Sequence, residues 1–292
     1  ILEITPHRIR EAIGDGMVPI VAGSQGVSTD KDVTFLGRGG SDTTAVALAH
    51  ALGADACELY TDVSGVFTTD PRVVPTARKM ASISFDELLE MTAVGCPKPA
   101  MRSVEVARTY SVPLHIRSAF TWEPGTWVIE EDPTMEQAVV SAIVPDTSES
   151  KVTVSGVPDR PGIAAGLFRA LADADVNVDM IVQNVSAEGV TDISFTVPNG
   201  QAELAARITA ERLPEENCSV TTDEAIGRVS IVGAGMKSNP GVAATMFETL
   251  ASNGINIEMI STSAIRISCV VRVDDVDGAT QALHQAFALG ES

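Results

Sequence analysis

One segment of this chain is written twice. PGIAAGLFRALADADVNVDMI, beginning at Pro161, aligns without a gap with PGVAATMFETLASNGINIEMI, beginning at Pro240, at a constant offset of 79 residues. A stretch recurring at fixed period is one supersecondary unit folded more than once, and it limits the architecture before any single residue does. The first copy predicts a strand over 151–155, a helix over 162–173, strands over 177–185 and 191–197, a helix over 200–212 and a last strand over 218–222. That order, βαββαβ, is a split βαβ unit of ferredoxin-like type. The second copy starts near Arg228 and ends with a helix over 275–289, one strand short. A four-stranded sheet lacking a strand would leave unpaired backbone groups along an edge. The segment AVVSAIV, 138–144, is short, apolar and rich in β-branched residues, and the first copy has no use for it. It is expected to join the sheet of the second copy, which makes the first copy an insertion within a discontinuous second unit.

Upstream, residues 1–130 alternate short apolar runs with helical patterns, which predicts a parallel α/β sheet. Strands are expected at 18–22, 56–60 and 112–117, and a helix at 41–52. Ser84 followed by Glu87 is a capping-box signature for a helix running to Met91. The Pro- and Gly-bearing stretch 122–134 is the best linker candidate.

The formal net charge is -19, from 39 acidic and 20 basic residues. Such a chain has no basic footprint for a nucleic acid, so none is expected as a partner. Any bound anion must be held by a few local cations, helix N-termini or a metal ion. The four cysteines, Cys57, Cys96, Cys218 and Cys269, stand far apart, without zinc-ligand spacing. They suit reduced thiols in a cytoplasmic protein. No apolar run approaches the roughly 20 residues that cross a bilayer, so no membrane partner is expected.

Two stretches carry chemistry. LGRGGSDTTAVALAHAL, 36–52, crowds glycines into a loop so that backbone N–H groups can approach a ligand, with Ser41 where a helix N-cap belongs. A helix N-terminus behind such a loop is an anion site. Arg38 could grip a carboxylate or phosphate in bidentate fashion, and Asp42 could face a metal ion or the reacting group. The stretch also reads as a tight turn before a well-capped helix. ELYTDVSGVFTTDPR, 58–72, follows a buried strand, and a loop past the carboxyl end of a parallel strand is a usual ligand position. It offers Thr61, Thr68, Thr69, Asp62, Asp70 and Arg72; alone, it reads equally as a solvated polar loop.

Taken together, GRGGSDTTA and YTDVSGVFTTDPR resemble the aspartate kinases of the amino-acid-kinase superfamily, and the tandem repeat resembles their paired ACT domains. The resemblance runs over essentially all 292 residues. It implies an α/β chain: the C-terminal, nucleotide-side part of a parallel-sheet amino-acid-kinase domain over 1–132, and a tandem regulatory region over 133–292. The latter holds two ferredoxin-like βαββαβ ACT domains, the first at 151–222 and the second at 138–144 plus 228–292. In that family the γ-phosphoryl of Mg-ATP passes to the side-chain carboxylate of L-aspartate, the first step towards lysine, threonine and methionine. Matching positions imply that Arg38 binds a substrate carboxylate, with Ser41 and Asp42 beside the reacting groups. Thr61, Asp62, Phe67 and Arg72 would line the ATP site, with ATP and Mg2+ as the cofactors and no protein-only metal site. The family's lysine-bearing glycine motif and its substrate-binding glutamate would both lie upstream of Ile1, so residues 1–292 alone are expected to be inactive. Phe67 stands where the family usually has Tyr, and Lys98, one place beyond the usual lysine, is still expected at the phosphates of ATP.

For the ACT pair the resemblance implies inhibition by lysine, threonine or both. The expected contacts are Asp159, Gly162, Ala164, Gln183, Asn184, Ser186 and Thr191 in the first copy, and Asn256, Ile257, Ser261 and Thr262 in the second. Met180 and Met259, at equivalent repeat positions, are expected in the core. Pairing through the ACT domains, as a homo-oligomer or as α and β subunits, is also implied. Two other readings stay open: a non-catalytic regulatory subunit, for which Met135 would be a possible start, and a kinase of the same superfamily acting on another small substrate.

Overall fold

The computed structural model describes residues 4–130, 138–185, 189–213 and 218–290. The N-terminal half runs α1 (His7–Gly14), β1 (Gln25–Val27), β2 (Val33–Phe35), α2 (Gly40–Leu52), β3 (Cys57–Thr61), β4 (Ser82–Ser84), α3 (Phe85–Ala93), α4 (Met101–Thr109), β5 (Leu114–Ser118) and β6 (Thr126–Ile129). Its four-stranded sheet has the order β3-β5-β6-β4. The pairs β3/β5 and β4/β6 are parallel, and β5/β6 is an antiparallel join between them. Leu59, Leu114, Ile116 and Val128 of the strands bury against Leu88, Met91 and Val104 of α3 and α4, which seals one face. Ser84 and Glu87 form the expected capping box at the start of α3.

Two expectations fail here. Residues 18–22 form no strand, with Val18 90% and Ile20 98% exposed. Apolar β-branched residues need a neighbouring strand to pair with, and among the described residues none lies beside them. The proposed linker also contains a strand: β6 occupies an inner position of the sheet, between β5 and β4. Pro124 and Gly125 make the turn into it rather than a domain boundary, and residues 131–134 lie outside the described residues.

Beyond the sheet come β7 (Ala142–Asp146), β8 (Glu149–Pro158), α5 (Ile163–Asp173), β9 (Ile181–Val185), β10 (Val190–Pro198), α6 (Ala202–Arg212), β11 (Ser219–Asp223), β12 (Ile226–Val232), α7 (Val242–Ser252), β13 (Met259–Thr262), β14 (Arg266–Arg272) and α8 (Val276–Ala286). The first copy closes as β11-β8-β10-β9 and the second as β13-β14-β12-β7. The strand ahead of the first copy therefore lies in the sheet of the second, pairing from Ala142 opposite Val232 to Asp146 opposite Arg228. It begins later than the apolar run suggests. Residues 138–141 instead pass against Gly233, where a Cβ would fall 2.3 Å from the Val139 carbonyl oxygen, and the regular ladder starts only after this crossing.

Each copy has its own core, around Leu167, Leu171 and Phe195 in the first and Ile231, Met246 and Leu250 in the second. Met180 and Met259 meet Ile226 and Val270 in a separate apolar cluster between the copies, as core rather than ligand contacts. Around it the copies exchange charges. Arg228 of β12 pairs with Asp179 of the first copy and with Asp146 and Glu149, while Lys151 of β8 pairs with Glu258 of the second. Asp179 and Glu258 occupy equivalent repeat positions, so each copy lends an acid to a cation on a strand of the other.

The second copy also grips the N-terminal half directly. Thr68 Oγ1 lies 2.9 Å from His284 Nε2 on α8 and donates to the Leu289 carbonyl, while the Thr68 carbonyl accepts the Ile143 N–H at 2.8 Å. On α3, Glu87 Oε1 accepts from Ser141 Oγ (2.6 Å) and the Ala234 N–H (3.2 Å). One turn on, Glu90 accepts from Ser263 Oγ (2.9 Å) and pairs with Arg266 at 3.1 Å.

Candidate active site and effector cleft

The glycine-rich loop delivers α2 as the sequence suggests, with one correction. The N-cap is Gly39, in the left-handed region at φ 74°, and Ser41 is already inside the helix. Gly39 is required twice over: its backbone conformation disfavours a side chain, and a Cβ there would fall 2.5 Å from the Ala100 Cβ. The close approach brings the loop after α3 against the head of α2, where Asp42 Oδ2 accepts the Ala100 N–H at 3.3 Å. Arg38 is exposed at the mouth of this loop, makes no ion pair among the described residues and is free to take an anion.

The same 95–100 loop carries Lys98, whose ammonium donates to Asp62 at the carboxyl end of β3. That contact, followed by a hydrogen bond from Thr61 Oγ1, holds the Asp62 carboxyl below its usual range. Arg38, Ser41 and Asp42 on one side and Thr61, Asp62 and Lys98 on the other thus border one region, linked through Ala100 and Lys98. It lies past the carboxyl ends of the parallel pair β3/β5, where α/β sheets bind ligands.

Further along, Arg72 folds back on Asp70, with Nε at 3.0 Å and Nη2 at 2.6 Å from the carboxylate, and holds the Asp70 carboxyl low. Its charge is engaged within the loop. Phe67 is half-buried and bridges to Lys79. Thr68, offered by the sequence as a loop hydroxyl, is 1% exposed; its Oγ1 accepts the Arg78 N–H at 3.0 Å and otherwise bonds the second repeat. Thr69 is likewise buried. The tie between loop and repeat had no local signal, since a lone His on an amphipathic helix reads as core. Glu87 and Glu90 were equally hidden, Glu87 behind its capping role.

The thiols of Cys57 and Cys269 are buried in the cores. Burial pushes Cys57 up to about 11 and Cys269 up to about 12. Among the described residues no group of His, Cys, Asp and Glu could hold a metal by itself, and no helix is long and apolar enough to cross a membrane.

In the first repeat, a cleft of about 310 Å³ gathers Asp159, Gly162, Ala164, Gln183 and Thr191 at the head of α5. A helix N-terminus at one end and side-chain oxygens at the other suit a carboxylate and an ammonium. Asn184 lies beside the cleft, its carbonyl accepting from Thr191 Oγ1. Ser186 lies outside the described residues. Asn256 and Ile257 precede β13, and Ser261 and Thr262 are within it, so these four sit in the other repeat and do not line that cleft.

The amino acid kinase family model matches residues 1–118, and an ACT domain model matches 152–213 and 229–287. An aspartokinase of Corynebacterium efficiens is 52% identical over 99% of this chain and 70% of its own length, and one of Mycobacterium tuberculosis is 51% identical over the same shares. Among solved structures, aspartokinase III of Escherichia coli in complex with aspartate and ADP superposes with a TM-score of 0.79 at 27% identity, covering 96% of this chain and 62% of that one. The Clostridium acetobutylicum aspartate kinase gives a TM-score of 0.81 at 22% identity, a likeness of fold, over 96% of this chain and 65% of that one. The chain thus spans less than two thirds of these solved relatives. By its sequence identity and the order of its domains, the chain belongs to the aspartokinase family.

Proposed function

We propose that this chain supplies the nucleotide side and the regulatory region of an enzyme that transfers the γ-phosphoryl group of Mg-ATP to the side-chain carboxylate of L-aspartate, giving 4-phospho-L-aspartate. Lysine, threonine or both inhibit it through the paired ACT units, which also pair subunits. The observation that carries the reading is the junction at Ala100: one loop binds Asp42 of the substrate-side helix and delivers Lys98 to Asp62 of the nucleotide-side strand. Phosphoryl transfer needs positioning and charge neutralisation more than covalent chemistry, and this junction sets both partners from one backbone segment.

In this reading Arg38 grips a carboxylate of aspartate, and Ser41 and the head of α2 orient the acceptor. Lys98, held by Asp62, presents positive charge to the phosphates, while Thr61, Phe67 and Arg72 border the nucleotide. Magnesium bound with ATP supplies further neutralisation of phosphate charge, and one or two carboxylates with phosphate oxygens suffice to hold it. Asp42 fits that role, since only Oδ2 is engaged among the described residues. Asp159, Gly162, Ala164, Gln183, Asn184, Ser186 and Thr191 take the effector in the first repeat, and Asn256, Ile257, Ser261 and Thr262 take it in the second. The ligands seen in the E. coli relative support the substrate assignment.

The test is Arg38→Ala and Asp42→Ala in a chain extended to the full length of its relatives. Each is expected to lower aspartate-dependent ATP consumption by about a hundredfold to a thousandfold, while lysine and threonine binding persists. Equal loss of effector binding in both variants would indicate misfolding and remove the assignment.

A further inference from the structure

Where Glu90 ties α3 to the second repeat, the two bodies leave a cleft of about 680 Å³ between them. The volume is ordinary for a small-molecule site. One wall is α3 with the ends of α4; the other is the 3-10 turn Ala234–Ser238 and the turn at 263–265. It shares no lining residue with the effector cleft of the first repeat or with the loop that follows β3.

Most of its charge is spoken for. Asp86 pairs with Arg108 at 2.7 Å, and Glu90 pairs with Arg266 and accepts from Ser263. Lys237 is exposed on the wall and makes no ion pair among the described residues, so it is the cation left over. Beside it the surface is apolar, from Leu89, Ala93, Met101 and Ile265. An apolar face next to one unmatched positive charge is complementary to a small amphiphilic anion.

We propose that this cleft binds a small carboxylate with an apolar tail, its carboxylate on Lys237 and its tail on Leu89, Ala93, Met101 and Ile265. A molecule seated there touches the kinase half and the second repeat at once, so it stabilises the arrangement in which α3 is docked. An α-ammonium on the ligand would meet Asp86 Oδ2, the one oxygen of these two acids that makes no contact among the described residues, which makes apolar α-amino acids the tightest members of the class.

Calorimetric titration of the chain with L-leucine, 4-methylpentanoate and 3-methylbutylamine tests this, with lysine and threonine present at saturation to occupy any effector site. Leucine is expected to bind with a Kd of about 1 mM or tighter, 4-methylpentanoate about tenfold more weakly, and the amine not at all. Lys237→Gln is expected to weaken leucine by at least about tenfold. Ala264→Phe, at an exposed position on the wall, should fill the cleft and abolish binding; thermal unfolding checks that each variant is folded. If Ala264→Phe is misfolded, Lys237→Gln decides. No heat from any probe would overturn the proposal, as would an amine that binds as tightly as the acid, or a folded Lys237→Gln that binds like the unsubstituted chain. The heat is read without turnover, so failure here leaves the kinase reading intact.

Discussion

Replacing Arg228 by Ala should be the most damaging single change at the contact between the repeats. Its side chain is 4% exposed and meets Asp146 at 2.8 Å, Glu149 at 3.4 Å and Asp179. Removing one member of a buried pair leaves the other charges uncompensated, and the expected cost is about 3–5 kcal/mol. Against a typical domain stability of about 5–15 kcal/mol this is a large fraction. Lys151→Ala should cost only about 1 kcal/mol, because its partners Glu258 and Asp223 keep Arg272, and Arg272 is 44% exposed. The pH dependence has a definite sign. Burial raises the Glu149 carboxyl above its ordinary 4.5, and Arg228 opposes that rise. A carboxyl raised on folding contributes stability that is present below its unfolded value and lost as pH rises through the folded one. Without Arg228 the rise grows, so the deficit of the variant should be greatest near neutrality and shrink on acidification towards 4.5. Urea unfolding followed by far-UV circular dichroism at pH 7.5 and 5.5 measures it. At a slope of about 2 kcal/mol/M, the neutral midpoint should fall by about 2 M. A deficit below about 1 kcal/mol, or one that grows as the pH falls, would refute the reasoning.

Gly39→Ala should lower turnover of the extended chain at least about tenfold, because the added methyl displaces Ala100 and with it Lys98; unchanged kinetics would show that the junction tolerates movement. His284 is lowered from its ordinary 6.5 by burial, so the stability it contributes is present above 6.5 and lost as pH falls through its lower folded value. Hydrogen exchange at the Ile143 amide, which bonds the Thr68 carbonyl, should therefore lose protection on acidification in the unsubstituted chain and lose less in His284→Gln.

The repeated half was legible because its information is periodic. A repeat of 79 residues gave nearly every strand and helix of the first copy, and a missing strand in the second could be found by counting. Met180 and Met259 read correctly as core for the same reason. What stayed hidden depends on partners distant in sequence. Residues 18–22 have strand composition and no strand beside them, while β6 was masked by the Pro-Gly turn leading into it. α4 shows only Val104 and Ala107 as buried apolar residues, too short a stripe to read against its polar neighbours. At the site, the glycine loop and the loop after β3 were visible as motifs. The interdomain roles of Thr68, Glu87 and Glu90 were not, because a hydroxyl or carboxylate looks the same in sequence whether it faces water, a ligand or another domain. The second repeat touches the loop after β3 at Thr68 and α3 at Glu87 directly.

Initial-rate measurement of aspartate-dependent ATP consumption by the extended chain, with lysine and threonine titrated singly and together, tests the central claim of a kinase governed by its repeats. Turnover should require aspartate and fall as one or both effectors are added, and Gln183→Ala should remove that inhibition while leaving the uninhibited rate within about twofold. Turnover that ignores aspartate, or inhibition that survives unchanged in Gln183→Ala, would contradict it.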